Sequence, residues 1–180
     1  MKKINAVIAI LTALFIASCS NEPPRPADED VAAIFNALYT SSMTCYTAAG
    51  SAPGSTDSNG TYTAVTAYNG GLSGSIDITL TEPEAVGGVL LTTIAMTFTD
   101  YSDSLSDAVF DGSVTMVRRS VKEPDPSNVY VFESAALTSD ITMSGVSITT
   151  FVMDLVLGTS GMNPTKTGTI VADGSTFIFN

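Results

Sequence analysis

Four aspartates crowd one predicted connection between two strands and form the densest group of oxygen ligands in the chain. They are Asp100, Asp103, Asp107 and Asp111, and three serines lie between them. Ca²⁺ takes about six to eight oxygen ligands, which carboxylates and hydroxyls on a flexible loop can supply. The spacing matches neither an EF-hand nor a glycine–aspartate calcium repeat. We therefore predict a solvated acidic loop and no metal site, with these four aspartates as the metal-ligand candidates.

Two further carboxylates lie inside predicted strands, where a pair of acids could cleave a glycosidic bond. Asp77 shares its face of the strand with Ser and Thr, which predicts exposure to solvent. Asp154 shares its face with Val152 and Val156, and the opposite face of that strand is apolar. A position on an edge strand, wetted on one side, explains Asp154 without a functional role. We predict no catalytic residue, and a carboxylate-dependent hydrolase is kept as an alternative.

The composition excludes several classes of function. The chain has no histidine, which excludes histidine-based nucleophile systems and histidine-ligated zinc. Acidic residues outnumber basic ones by 18 to 7, and the formal net charge is −11. Nucleic acid needs a basic stripe, so we predict no nucleic-acid partner, and nothing in the sequence indicates a cofactor. We expect the small basic cluster of Arg118, Arg119 and Lys122 to pair with local carboxylates or to guard a strand end.

The N-terminal segment has the pattern of a secretory signal. Lys2 and Lys3 are followed by an apolar run over residues 4–17. This run is shorter than the roughly 20 apolar residues that a membrane-spanning helix needs, and small residues follow it. The segment ends in Ile16-Ala17-Ser18-Cys19. This tetrapeptide resembles the lipobox of bacterial lipoprotein precursors, in which an aliphatic residue and two small residues precede a cysteine.

The resemblance implies a lipid anchor on Cys19. Removal of residues 1–18 as a signal peptide would leave Cys19 as the new N-terminus, with a diacylglyceryl group on its sulfur and usually an acyl chain such as palmitate on its amine. Each buried methylene contributes about 0.8 kcal/mol, so two or three chains would anchor the protein stably. Ser20 is compatible with sorting to the outer membrane. We therefore expect a bacterial cell-envelope protein held at a membrane through Cys19; an ordinary signal peptide cut elsewhere is the alternative.

The second cysteine, Cys45, is left without a partner. With Cys19 lipidated no internal disulfide can form. The chain has no histidine, and no Lys or Arg lies close to Cys45 in sequence to lower its pKa. We therefore predict a small buried residue rather than a reactive thiol.

The rest of the chain divides into a tether and one domain. Residues 19–28 are proline-rich and predict an extended tether, and residues 29–180 a single β-rich domain. Residues 29–40 predict a short amphipathic helix, because acidic residues precede an apolar stripe at helical spacing. That stripe consists of Val31, Ile34, Phe35 and Leu38. Residues 41–60, rich in Ser, Thr and Gly, predict an irregular connection, and strands follow over 61–180.

Period-two alternation predicts the strands. It is clear over residues 72–81, 90–99 and 151–157, and Asp173-Gly174 before the last apolar stretch predicts a two-residue hairpin turn. No second helix pattern is present, which argues against parallel strands with helical crossovers. The predicted fold is mainly β: a single curved antiparallel sheet, a meander of half-barrel-like shape, with the one N-terminal amphipathic helix packed on it.

Three glycines recur in a weak repeat of the form Gly-[Ser/Thr]-[Ile/Val]. They are Gly74, Gly112 and Gly168. A glycine at an inward-facing strand position marks a bulge, a sharp bend or a close approach of backbone. Ordinary turn glycines are the equally weighted alternative.

These observations favour a non-catalytic module over an enzyme. We expect a lipid-anchored binding or structural protein that contacts the membrane through Cys19. Its concave sheet could hold an apolar small molecule, or its surface could contact another envelope protein. A calcium-stabilised surface adhesin and the carboxylate-dependent hydrolase are the alternatives.

Overall fold

A computed structural model describes residues 25–102, 104, 106–123, 129–160 and 163–180. The lipobox and Cys19 lie outside these residues, as does Asp103 of the acidic loop. Over the described ranges the chain forms one helix followed by nine strands. These are α1 Asp28–Gly50, β1 Gly54–Thr56, β2 Tyr62–Tyr68, β3 Ser73–Glu82, β4 Val89–Ser102, β5 Val109–Lys122, β6 Tyr130–Ser144, β7 Thr150–Ser160, β8 Asn163–Ala172 and β9 Ser175–Phe179.

The nine strands form a single antiparallel sheet in the order of the sequence. Each strand pairs with the next along the chain, and β1 and β9 are the two edges of an open sheet. The helix packs on one face, which we call the inner face. The predicted fold, a curved antiparallel meander with one N-terminal helix on it, is confirmed.

The helix is longer than its apolar stripe predicts. It continues to Gly50, so the prediction of an irregular connection beginning at residue 41 was wrong. Small residues extend the buried stripe by one residue per turn, through Ser42, Cys45 and Ala49. The Ser42 hydroxyl donates a hydrogen bond of 2.7 Å to the carbonyl of Leu38, which satisfies it inside the helix. Among the described residues, α1 lacks the long apolar stretch that a membrane-crossing helix needs.

One hydrophobic core fills the space between the helix and the inner face of the sheet. Alternate residues of strands β2 to β9 point into it, as period-two patterning predicts, while β1 is exposed throughout. Leu38 of the helix is fully buried, as are three phenylalanines from different strands, Phe98, Phe110 and Phe151. The rings of Phe98 and Phe110 meet edge to face, with centroids 6.4 Å apart.

The three repeated glycines lie within strands, not in turns. Gly112 and Gly168 have φ angles of +122° and +120°, and Gly74 has +67° at a register shift in β3. A Cβ atom at Gly168 would lie 2.2 Å from the carbonyl oxygen of Asp154 on the neighbouring strand. Of the two interpretations open from the sequence, the close approach of backbone is therefore correct.

The predicted hairpin turn at Asp173-Gly174 is confirmed. Both residues have positive φ, at +46° and +80°, as a type I′ turn requires. The carboxylate of Asp173 also accepts hydrogen bonds from the backbone N–H groups of Thr149, at 3.0 Å, and Thr150, at 2.8 Å. The β8–β9 turn is thereby fastened to the start of β7.

Candidate functional site

A groove separates the helix from one half of the sheet. The backbone of α1 comes closest to β2, β3 and β4. The helix backbone is further from β6, β7 and β8, and at one end of these strands the inward-facing Leu157 and Lys166 are only partly buried. Such a gap between packed layers leaves concave apolar surface, which is where small-molecule sites occur. We call it the helix–sheet groove.

The floor of the groove is one row of side chains across four strands. Arg118 of β5 is paired with Ala135 of β6, Ala135 with Leu157 of β7, and Leu157 with Lys166 of β8. Adjacent strands lie about 4.8 Å apart, so this row extends about 14 Å. It has a cation at each end and two apolar residues between them.

Aromatic side chains form the walls. Phe35, Tyr39 and Tyr46 recur at spacings of four and seven residues, which places them on one face of the helix. The rings of Phe35 and Tyr39 are stacked, with centroids 5.9 Å apart. Phe132, 37% exposed, forms the opposite rim on β6. Large aromatic surfaces beside a partly open space favour binding of an apolar group.

Two cavities follow one another along the groove. The larger has a volume of about 390 Å³ and is lined by Phe35, Asn36, Tyr39, Phe132, Leu157, Gly158, Thr165 and Lys166. The smaller, of about 210 Å³, lies beside the N-terminus of the helix and is lined by Arg25, Asp28, Phe177 and Phe179, among others. Phe35 and Lys166 line both, so these two side chains mark the boundary between the cavities.

Each cation of the groove is held against aromatic rings. The Nζ atom of Lys166 lies 4.5 Å from the centroid of Phe35 and 3.9 Å from that of Phe179. The guanidinium of Arg118 lies between Tyr46 and Phe132, at 4.8 Å and 5.1 Å. The ring faces attract these cations and fix their positions without neutralising their charge.

The charge on Lys166 is poorly compensated. Burial lowers the pKa of its ammonium group. No carboxylate lines the larger cavity, and the described residues contribute no ion pair to Lys166. In the smaller cavity Asp28 pairs with Arg25 at 3.4 Å, and both side chains are mostly exposed. The Nε atom of Arg118 is buried without a hydrogen-bond partner among the described residues.

The acidic loop contains no group of metal ligands in its described part. Asp100 has a positive φ of +48°, and its backbone N–H donates to the carboxylate of Asp111 at 2.9 Å. Asp107 is exposed, and Asp103 lies outside the described residues. Across those residues no three Asp, Glu, Cys or His side chains converge as a metal site would require. Asp100 and Asp111 lie on β4 and β5 and not in the connection as predicted, so Asp111 bonds one strand to the other at the register shift between Phe98 and Tyr101.

The two strand carboxylates are far apart. Asp77 lies on β3 and Asp154 on β7, both exposed on the outer face of the sheet. Four strand spacings separate them by about 19 Å, whereas a glycosidase pair needs about 5–9.5 Å. The prediction of an edge strand for Asp154 was wrong, because β7 lies between β6 and β8. Asp154 is wetted because the outer face of the sheet carries no second layer in the described structure.

The basic cluster predicted from the sequence is split between two faces. Arg119 forms an ion pair with Glu133 on the outer face, while its neighbour Arg118 points into the groove. The prediction that these residues pair with local carboxylates is thus confirmed for Arg119 and wrong for Arg118. Cys45 is fully buried, as predicted, and burial raises the pKa of its thiol to about 12.

The residues that line the groove were not predicted as a site from the sequence, although a signal for two of them is present. Lys166 has the same strand parity as the buried Ile170, and Arg118 has that of Val114 and Met116. A cation at an inward-facing position of an otherwise apolar strand is rare unless something pairs with it. The inward-facing parity of these two cations is the signal in the sequence that could have identified them as candidate site residues.

The chain matches no protein-family model, and comparison with curated proteins and with solved structures gives no match either. The chemistry of the groove is therefore inferred from its own residues.

Proposed function

We propose that the protein is a lipid-anchored, non-catalytic binding module of the bacterial cell envelope that holds an apolar ligand in the helix–sheet groove. The observation that carries this proposal is the cavity of about 390 Å³ between α1 and the floor of the sheet. Its volume falls within the range of about 300–1,000 Å³ of small-molecule sites. Phe35, Tyr39, Phe132 and Leu157 give it a mainly apolar lining.

The position of the groove suits a ligand taken from or delivered to a membrane. Arg25 lines the smaller cavity and is six residues after Cys19. An extended chain spans at most about 3.5 Å per residue, so this end of the groove lies within about 20 Å of the lipidated cysteine. A ligand with low solubility in water would then have only a short distance to travel.

Uptake of an uncharged fluorescent probe tests the binding function. The chain from residue 19 onward, carrying Cys19→Ser to prevent lipidation, keeps every residue that the structure describes. We expect it to bind N-phenyl-1-naphthylamine saturably, with the rise in fluorescence that an apolar environment produces. Leu157→Gln places an amide on the groove floor and is expected to weaken binding about tenfold.

Leu91→Gln is the matched control, because Leu91 is 43% exposed on the outer face of the sheet. It is expected to leave the affinity unchanged, and thermal unfolding of both variants checks that they fold. Absence of saturable uptake by the unsubstituted chain would exclude the binding function, and so would equal affinity in the Leu157→Gln variant.

The anchor is tested separately. In the producing bacterium, a clickable palmitate analogue is expected to label the full-length protein, and Cys19→Ser is expected to abolish the label and release the protein from the membrane fraction. Cys45→Ala is the control that keeps the anchoring cysteine. Labelling that survives Cys19→Ser would remove the lipid anchor from the proposal.

A further inference from the structure

The positive charge of this acidic protein is concentrated at the groove. The described residues include five Lys and Arg side chains, in a chain whose formal net charge is −11. Three of the five line the groove or lie at its end: Arg25, Arg118 and Lys166. Arg118 and Lys166 lie over aromatic rings and have no ion pair among the described residues, whereas Arg25 lies over Phe177 and also pairs with Asp28. A cavity with this lining is complementary to an anion that also carries apolar surface.

Lys166 is the best placed of the three to meet such an anion. Its side chain borders both cavities, and the described residues supply it with no ion pair. The side-chain amide of Asn36 lines the larger cavity together with it, whereas the Thr165 side chain points to the outer face of the sheet, beside Gly158. An ammonium and an amide are two kinds of donor that a carboxylate can accept from. The guanidinium of Arg118, in contrast, is covered on both sides by rings.

The remaining lining of the larger cavity is apolar. From Lys166 the floor of the cavity continues to Leu157, with Phe35 and Tyr39 above. The polar donors and the apolar surface therefore divide the cavity into a head-group end and a chain end.

We propose that the ligand of the groove is a long-chain carboxylate whose head is bound by Lys166 and whose hydrocarbon chain lies over Leu157, beneath Phe35 and Tyr39. This inference rests on the proposed binding function and names its ligand class. The desolvation that lowers the pKa of Lys166 is offset when a carboxylate pairs with its ammonium.

Displacement of N-phenyl-1-naphthylamine by two ligands of equal chain length tests the inference. Dodecanoate and dodecanol differ only in the head group. We expect the Cys19→Ser chain to bind dodecanoate at least about tenfold more tightly than dodecanol, because hydrogen bonds to charged groups are about twice as strong as neutral ones. Lys166→Met keeps the apolar stem and removes the charge, so it should abolish this preference while dodecanol binds as before.

Two further variants separate the effect of the charge from an effect on the fold. Lys122→Met removes an exposed lysine at the end of β5 and should change neither affinity. Lys166→Arg restores a cation and should restore much of the preference for dodecanoate.

Equal affinities for the two ligands in the unsubstituted chain would overturn the inference and leave the binding function intact. A Lys166→Met variant that loses both ligands equally would also overturn it. Displacement of the probe by neither ligand would instead contradict the proposed function itself.

Discussion

The Nζ atom of Lys166 lies 3.9 Å from the centroid of the Phe179 ring, on the last strand of the sheet. The contact joins a cation on the inner face of β8 to an aromatic residue of the edge strand β9. Because the ring attracts the ammonium without neutralising it, the side chain is positioned and still carries its charge. Lys166 has no ion pair among the described residues, which is unusual for a cation on the apolar side of a sheet in a chain with an excess of acidic residues.

The close approach at Gly168 predicts a large effect of a single methyl group. We expect Gly168→Ala to lower the free energy of unfolding by about 2–4 kcal/mol, because φ is +120° and the Cβ would lie 2.2 Å from the Asp154 carbonyl oxygen. Gly50→Ala is the control, since nothing lies within 4 Å of its Cβ at the end of the helix. It should be neutral or slightly stabilising. Urea denaturation of both variants measures the difference, and equal midpoints would contradict the close approach.

The carboxylate of Asp173 predicts a pH-dependent contribution to stability. Burial alone would raise its pKa, but hydrogen bonds from Thr149 and Thr150 outweigh this and lower the pKa below the usual 3.8. The stabilisation is therefore complete above about pH 4 and is lost as the pH falls through the lowered pKa.

Asp173→Asn tests this, because Asn tolerates the φ of +46° while losing the charge. At about pH 6 we expect the variant to be less stable by about 1–2 kcal/mol, with the difference shrinking towards pH 3. Thr150→Val removes one of the donors and should give a smaller loss in the same direction. Urea denaturation as a function of pH measures both; a difference that grows as the pH falls would show that the sign is wrong.

The burial of Cys45 predicts an unreactive thiol. Its pKa is raised to about 12, so almost none of it is thiolate at neutral pH, and the side chain is fully buried. In the Cys19→Ser chain it is the one thiol present. Ellman's reagent at pH 8 should give no reaction with the native protein and one equivalent in urea. Rapid labelling of the native protein would mean that the C-terminal half of α1 opens readily.

Packing of the C-terminal half of the helix is tested at Ser42, which is fully buried. Ser42→Leu would force a larger side chain between the helix and the sheet, and we expect a loss of about 1–3 kcal/mol. Asn36→Leu, at an exposed helical position, should change the stability by less than about 0.5 kcal/mol. Thermal unfolding of the two variants gives the comparison. Equal stabilities would indicate that residues 41–50 do not pack as described.

Period-two alternation predicts the sheet from the sequence because each strand has one face on the core and one in water. The end of the helix could not be predicted in this way, since residues 41–50 extend the buried stripe with Ser, Cys and Ala rather than with large apolar side chains. Hydroxyls such as that of Ser42 bond back to the helix carbonyls, which makes a Ser- and Thr-rich stretch compatible with helix.

The groove could not be predicted because it depends on the register of three hairpins. Arg118 and Lys166 are 48 residues apart in sequence, and they share one row only because β5 to β8 pair as they do. A register shift between Arg119 and Ser120 turns Phe132 to the same face as Arg118. A shift of one residue in any of these pairings would place Arg118 and Lys166 on opposite faces of the sheet.

The edge strand β9 is shorter than its neighbour, and this affects the mouth of the groove. It pairs with β8 only from Gly168 to Ala172. In the described structure no strand is therefore hydrogen-bonded to the free edge of β8 over Thr165–Thr167. Peptide groups that point outward there are hydrated by bulk water. The end of the groove beside Lys166 is therefore hydrated, whereas the floor at Leu157 is apolar. A head group arriving there could keep part of its hydration shell, and only the tail would have to leave water completely.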